Sequence, residues 1–349
     1  MEDSSDTILI LTAADSEWSK SEISLGHVII AALRLVDVRL IAFSILFSVG
    51  CVGEPMPRNE REIAKILSEM GAVVVTDADG HITEAHLHDC TSPDLAAQQL
   101  KLSLFLVHLS APNCDLGNEG MNAIVTCRNL RELDVSLTCV TGDGFKRIDS
   151  LENLEQLSTT VSGGLGSLGQ LKSLRRLDLA ASGVTDADMS ELRQLTSLRD
   201  LSLNDTVISD EGVKNLGASF AGERLSIEGT RITDKSAVVI SQISSIKKLN
   251  VARTHLTDAG VCLLCKLPYL TELNLSGTQI TDDVAIYLRK CTELVAVNMY
   301  GTRLTPAVIE ELGKIQALEY VSVPSERFDE VDASRLQSLL PEAYISRLP

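Results

Sequence analysis

A word of 24 residues recurs along the second two thirds of the chain: an apolar triplet spaced Leu-x-x-Leu-x-Leu, a hydroxyl residue three positions on, then Ile-Thr-Asp and a short helical pattern. The first apolar position of successive copies falls at Leu130, Leu154, Leu174, Leu198, Gly222, Ile246, Leu270, Leu294 and Leu318, every step being 24 residues except one of 20. Such a chain does not build one core around a centre. Each copy supplies a thin apolar strip that only its neighbours can cover, so stability is a sum of unit and nearest-neighbour contributions.

Within a copy the second and third apolar positions stand two apart, as in Leu177 and Leu179, Leu225 and Ile227, or Leu273 and Leu275. That spacing predicts a strand with one face buried. A hydroxyl–acid pair follows at Thr185–Asp186, Ser209–Asp210, Thr233–Asp234, Thr257–Asp258 and Thr281–Asp282. It predicts a helix start: the hydroxyl accepts from a free N–H of the first turn, and the acid lies at the positive end of the helix dipole. Thr305–Pro306 keeps the register, with proline where no N–H is needed. Leu192, Leu216, Leu264, Leu288 and Leu312 then return at helical spacing to meet the strand leucines. The turn after each strand carries Cys90, Thr138, Ser182, Thr206, Thr230, Thr254, Thr278 and Thr302, expected to satisfy turn backbone groups level by level.

In these residues the chain resembles the leucine-rich repeat family over about residues 82–345, in the bacterial and F-box-associated variety whose copies read Leu-x-x-Leu-x-Leu-x-x-(Thr/Cys)-x-Ile-Thr-Asp. The resemblance implies an α/β fold: a right-handed horseshoe solenoid with a parallel β-sheet on the concave face, short helices on the convex face and about ten repeats over 82–335. The copy at 154–173 is short, holds Gly163, Gly164, Gly166 and Gly169, and lacks the helix-start pair, so its convex side is expected to be extended or turn-like. A cap at 59–81 is expected before the repeats, with a helix over Asn59–Met70 and a hairpin about Asp79–Gly80. A second cap, helix then strand, is expected over 336–349.

Residues 1–26 read as a disordered acidic leader, 27–51 as a signal-like apolar segment and 52–58 as a tether. The uncharged run Leu40–Gly50 follows Arg34 and Arg39 and ends at Cys51. That order resembles a bacterial lipoprotein signal and makes Cys51 the expected lipidation site at a cell envelope. Eleven residues fall short of the roughly twenty that span a bilayer. An uncleaved anchor and a soluble protein with a leader stand as the alternatives.

A formal charge of −17 and a pI near 4.8 argue against nucleic acid and favour basic partners. The eight cysteines form no disulfide framework; Cys114, Cys127 and Cys291 read as apolar fillers, and the Cys262–x–x–Cys265 pair lacks a second pair. No phosphate-cradling loop, nucleophile elbow or metalloprotease histidine pair is present, so neither enzyme activity nor a cofactor is expected.

The outward strand positions are the candidate site. Read one per level, they give His86, His108, Asp134, Ser158, Asp178, Ser202, Ser226, Asn250, Asn274, Asn298 and Ser322. From Asp134 to Ser322 this short polar column is expected to bind a protein or peptide, the chain acting as a monomeric scaffold. His86, His88, His108 and Asp134, with Glu84 and Glu132 alongside, form a candidate metal site. Two other functions are carried: a cytoplasmic substrate-recognition subunit similar to F-box adaptors of ubiquitin ligases, and a metal-binding protein.

Overall fold

A computed structural model describes residues 59–347 apart from 102, 162, 164, 218 and 219. The expected leader, apolar segment with Cys51, and tether lie outside the described residues. The repeats and caps fall within one compact unit, Arg58–Pro349.

Thirteen strands pair in chain order: β1 (Val73–Thr76), β2 (Ile82–His86), β3 (His108–Ser110), β4 (Glu132–Val135), β5 (Gln156–Thr159), β6 (Arg176–Asp178), β7 (Asp200–Ser202), β8 (Arg224–Ser226), β9 (Lys248–Asn250), β10 (Glu272–Asn274), β11 (Ala296–Asn298), β12 (Tyr320–Ser322) and β13 (Tyr344–Ser346). β1 runs antiparallel to β2 as the predicted hairpin, and every later pair is parallel. One apolar residue per strand faces the interior in strict register. Leu201, Leu225, Leu249 and Leu273 align and are each 2% exposed. Behind them lie the third apolar positions, Leu203, Ile227, Val251 and Leu275, and the helix leucines Leu216, Leu264, Leu288 and Leu312, all buried. Each such side chain contributes about 1.5–3 kcal/mol on leaving water, and nearly all of it depends on the next level being in place. Gly222 occupies a leucine position because the Phe220 ring fills the space: a Cβ there would lie 2.0 Å from the ring.

The hydroxyl–acid pairs do more than start helices. Ser209, Thr233 and Thr257 cap Asp210–Leu216, Asp234–Ile240 and Asp258–Leu264 as expected, each accepting from the N–H two residues on. The acid, however, reaches sideways to the next level. Asp210 accepts from the Thr233 N–H at 2.8 Å and the Thr233 hydroxyl at 2.7 Å, then from the Ser236 N–H at 3.2 Å and its hydroxyl at 2.5 Å. The same clamp joins Asp186 to Ser209, Asp234 to Thr257, Asp258 to Thr281 and Asp282 to Thr305. At the position of Ser236 other levels carry Gly212 and Gly260, where a Cβ would lie 2.4 and 2.3 Å from the clamping carboxylate.

The turn hydroxyls behave as predicted except at Ser182, whose buried hydroxyl has no hydrogen-bond partner among the described residues. Thr138, Thr206, Thr230, Thr254, Thr278 and Thr302 each donate to the carbonyl three residues back at 2.5–2.8 Å. Cys114 packs partly buried against the core as expected, but it also belongs to this ladder, its thiol donating to the Ala111 carbonyl at 3.2 Å. Cys291 is buried in the core as expected, but not as a free thiol. It is bonded to Cys265 across neighbouring levels, the Cα atoms 4.8 Å apart. Both are buried just past the ends of the helices Asp258–Leu264 and Val284–Leu288 on neighbouring levels, so a cross-link 26 residues long in sequence is short in space.

In the short copy the convex connection is a 3₁₀ helix, Leu165–Gln170, burying Leu165 and Leu168. β5 and β6 still pair in register, so the four missing residues, about one helical turn, are removed from the helix side alone. At the N-terminal end the helix Glu60–Glu69 buries Ile63 and Leu67, and Glu60 accepts from the backbone of Ile82 at 2.6 Å and Leu104 at 3.2 Å, tying the cap to hairpin and first repeat. At the other end the closing helix runs Glu330–Leu339, starting six residues before the expected Leu336 because Asp329 and Asp332 form a capping box.

Candidate protein-binding groove

On each strand the residues flanking the inward leucine face the opposite way, and in-register pairing gathers them into two columns. One is the column read from the sequence: Asp134, Ser158, Asp178, Ser202, Ser226, Asn250, Asn274, Asn298 and Ser322 align across β4–β12. Two of its expected members differ. The residue of β3 in line with Asp134 and His86 is Ser110, not His108. Ser322 lies on β12, the strand before the closing β13, where it is fully buried and drops out of the accessible surface.

The second column was not read from the sequence: Glu84, His108, Glu132, Gln156, Arg176, Asp200, Arg224, Lys248, Glu272, Ala296, Tyr320 and Tyr344. Stepping back from Glu132 by the constant 24 residues gives His108 and then Glu84. Placing both histidines in one column had required steps of 22 and 26, which the pairing does not make.

Over β5–β12 the columns line a groove of about 650 Å³ that runs from Gln156 to Tyr320. Its floor changes character along its length. In the first part charges alternate and pair: Gln156 donates to Glu132 at 2.6 Å, Arg176 meets Asp200 at 3.0 Å, Arg224 reaches the same carboxylate at 3.6 Å, and Lys248 pairs with Glu272. These exposed pairs hold at most about 1 kcal/mol each and are open to exchange with a partner's charges. Farther on, Ala296 leaves a shallow floor beside Tyr320, whose ring stacks on Tyr344 with centroids 5.9 Å apart. In a chain with only 3% aromatic residues, this stack is the groove's one aromatic feature among the described residues.

The polar column has a second task. Asp134, Asp178, Asn250, Asn274 and Asn298 each accept from the N–H two residues on, which turns the chain out of its strand. The amide NH₂ groups of Asn274 and Asn298 make no hydrogen bond among the described residues, leaving donors over the groove. Along one rim Arg253 bonds Glu228 at 2.9 Å and Asp205, two levels away, at 2.8 Å. Burial alone would push the Glu228 carboxyl up, but hydrogen bonds from Asn250 and Arg253 more than reverse this and hold it below the usual carboxylate range.

The expected metal residues are spread out. The His86 and His108 rings lie edge to face at 5.6 Å, His88 is 6.5 Å from His86 and next to Asp89, and Asp134 is held by Ser136 at 2.6 Å. Among the described residues the one tight group of potential ligands is Asp77, Asp79 and His81 in the hairpin turn.

Residues 104–340 match the protein family described as the leucine-rich repeat region. No curated protein sequence matches the chain. Among solved structures the chain is similar to an internalin, inlF, of Listeria monocytogenes at 16% identity, covering 83% of this chain and 94% of that one with a TM-score of 0.56. It is also similar to a leucine-rich repeat protein of Leptospira interrogans (18% identity, 71% and 74% covered, TM-score 0.46) and to the Listeria internalin C2 (18%, 66% and 92%, TM-score 0.47).

Proposed function

The chain belongs to the leucine-rich repeat family, and from that membership and the shape of its sheet we propose that it is a non-catalytic scaffold that binds a protein or peptide along the groove, displayed at a bacterial cell envelope through lipid on Cys51. The groove over β5–β12 carries the reading. It offers exchangeable charges on one side, free amide donors on the other and an aromatic shelf at its end, the combination found at interface anchors with a polar surround. A net charge of −17 favours a partner with basic residues. Display outside the cytoplasm is supported by the Cys265–Cys291 bridge, because disulfides persist in oxidising compartments and are rare in the cytosol.

The test places a photo-crosslinking residue at Ser226 in the groove and, separately, at Val238 on the exposed helix face, in cells that make the full chain. A partner trapped from Ser226 and not from Val238, and weakened by Tyr320→Ala by the roughly 2 kcal/mol of an interface anchor, is the expected result. Trapping from Val238 alone would move the binding face to the helices. For the envelope, fatty-acid labelling should appear on the wild type and vanish in Cys51→Ala; an unlabelled, unsedimented wild type rejects the anchor.

A further inference from the structure

β2, β3 and β4 bring Glu84, His108 and Glu132 side by side on the sheet face, with His86 diagonal to His108. The His86 Nε2 lies 3.9 Å from a Glu84 oxygen and the His108 Nδ1 lies 3.7 Å from a Glu132 oxygen, beyond hydrogen-bond reach. The two imidazoles therefore have no hydrogen bond among the described residues, while their rings approach at 5.6 Å. No Lys or Arg among the described residues pairs with Glu84 or Glu132, so the patch sets two carboxylates beside two imidazoles with no Lys or Arg to balance them. This patch lies beyond the groove, which begins at Gln156.

We propose that His86 and His108, with Glu84 and Glu132, bind one divalent transition-metal ion, Zn²⁺ in particular. Two imidazole nitrogens and carboxylate oxygens are ligands this ion takes in tetrahedral geometry, and at bond lengths near 2.0–2.2 Å two ligand atoms on one ion stand about 3.3 Å apart. Each His–Glu pair, at 3.7 and 3.9 Å, needs to close by about half an ångström, and the two pairs need to turn toward each other, since no three of these ligand atoms lie within 4.8 Å of one another as they stand; both movements fall to partly exposed side chains, while the parallel strands hold their roots in place. The ion would neutralise the patch and tie the first repeats together. The turn group Asp77–Asp79–His81 is tighter but already occupied: Asp77 accepts from the backbone of Asp79 and His81 and from the His81 ring, which in turn stacks on Phe105 at 3.8 Å.

Zn²⁺ titration of the purified full chain by calorimetry at about pH 7.5 should show one saturable site. Co²⁺ in its place should give a visible absorption band. His86→Ala and His108→Ala should each weaken uptake by at least the tenfold that even outer partners of a bound metal contribute, and His81→Ala should leave it unchanged. Unfolding curves of the metal-free variants control for folding. Non-saturating uptake by the wild type, equal uptake by His86→Ala/His108→Ala, or loss of the site in His81→Ala would each overturn the assignment.

Discussion

At the scale of single residues, the most informative side chain is the aspartate that follows each repeat's Ser or Thr and clamps the next level. Asp210 accepts four hydrogen bonds from Thr233 and Ser236. Asp210→Ala should cost roughly 2–3 kcal/mol, because it strands a backbone N–H and two hydroxyls between levels; urea unfolding measures it. Burial pushes the Asp210 carboxyl up, but these bonds outweigh it and its pKa lies below the ordinary value. A depressed folded pKa gives stability that is present above the unfolded value, about 3.9, and lost as pH falls through the folded one. The urea midpoint should therefore drop below about pH 4, and Asp210→Ala should lack that part of the drop. Gly260→Ala is the steric counterpart: its Cβ would meet the Asp234 carboxylate at 2.3 Å and Leu256 at 2.6 Å. A loss of about 1–3 kcal/mol is expected, as for other overpacked sites, and thermal unfolding should show it as a lowered Tm.

Elements here are short and gain their stability from being stacked. Helices such as Asp234–Ile240, seven residues long, fall well below the roughly 12–15 residues at which an isolated helix becomes marginal in water. What holds them is the cap, the lateral carboxylate and the buried face. The Cys265–Cys291 bridge adds a covalent tie between two such helical levels. Closing a loop of this length restricts the unfolded chain by about 3–4 kcal/mol. Reduction, or Cys291→Ser, should thus lower the denaturant midpoint while leaving the circular dichroism of the folded state intact. An unchanged midpoint under reductant would show that the two thiols are not joined in solution. Cys127 shows the opposite use of the same residue type: burial pushes its thiol up to about 12, and it donates to the Leu100 carbonyl as a core side chain with no thiolate chemistry at neutral pH.

For the whole molecule the 24-residue level is the unit of construction. Deleting one complete level, residues 222–245, removes β8 and the helix Asp234–Ile240 and brings like against like at the new junction. Such a deletion should unfold cooperatively with a smaller m-value, in proportion to the surface lost. Deleting half a level, residues 222–233, should abolish folding, because strands would then meet helices. The repeat, the inward leucines, the helix caps at Ser209, Thr233, Thr257 and Thr305, the turn hydroxyls other than Ser182 and the hairpin before them were legible in the sequence, since each depends on neighbours within a few positions along the chain, whereas Thr185 and Thr281 cap no helix. The tertiary structure decided everything that depends on the offset between levels: that His108 lines up with Glu84 and Glu132, that each helix-start aspartate bonds the following repeat, that Cys265 meets Cys291, and that a charged column ending in two tyrosines faces the groove. Periodicity along a chain states which residues are equivalent, whereas contact across a stack is fixed only when strand pairing sets which equivalent residues become neighbours in space.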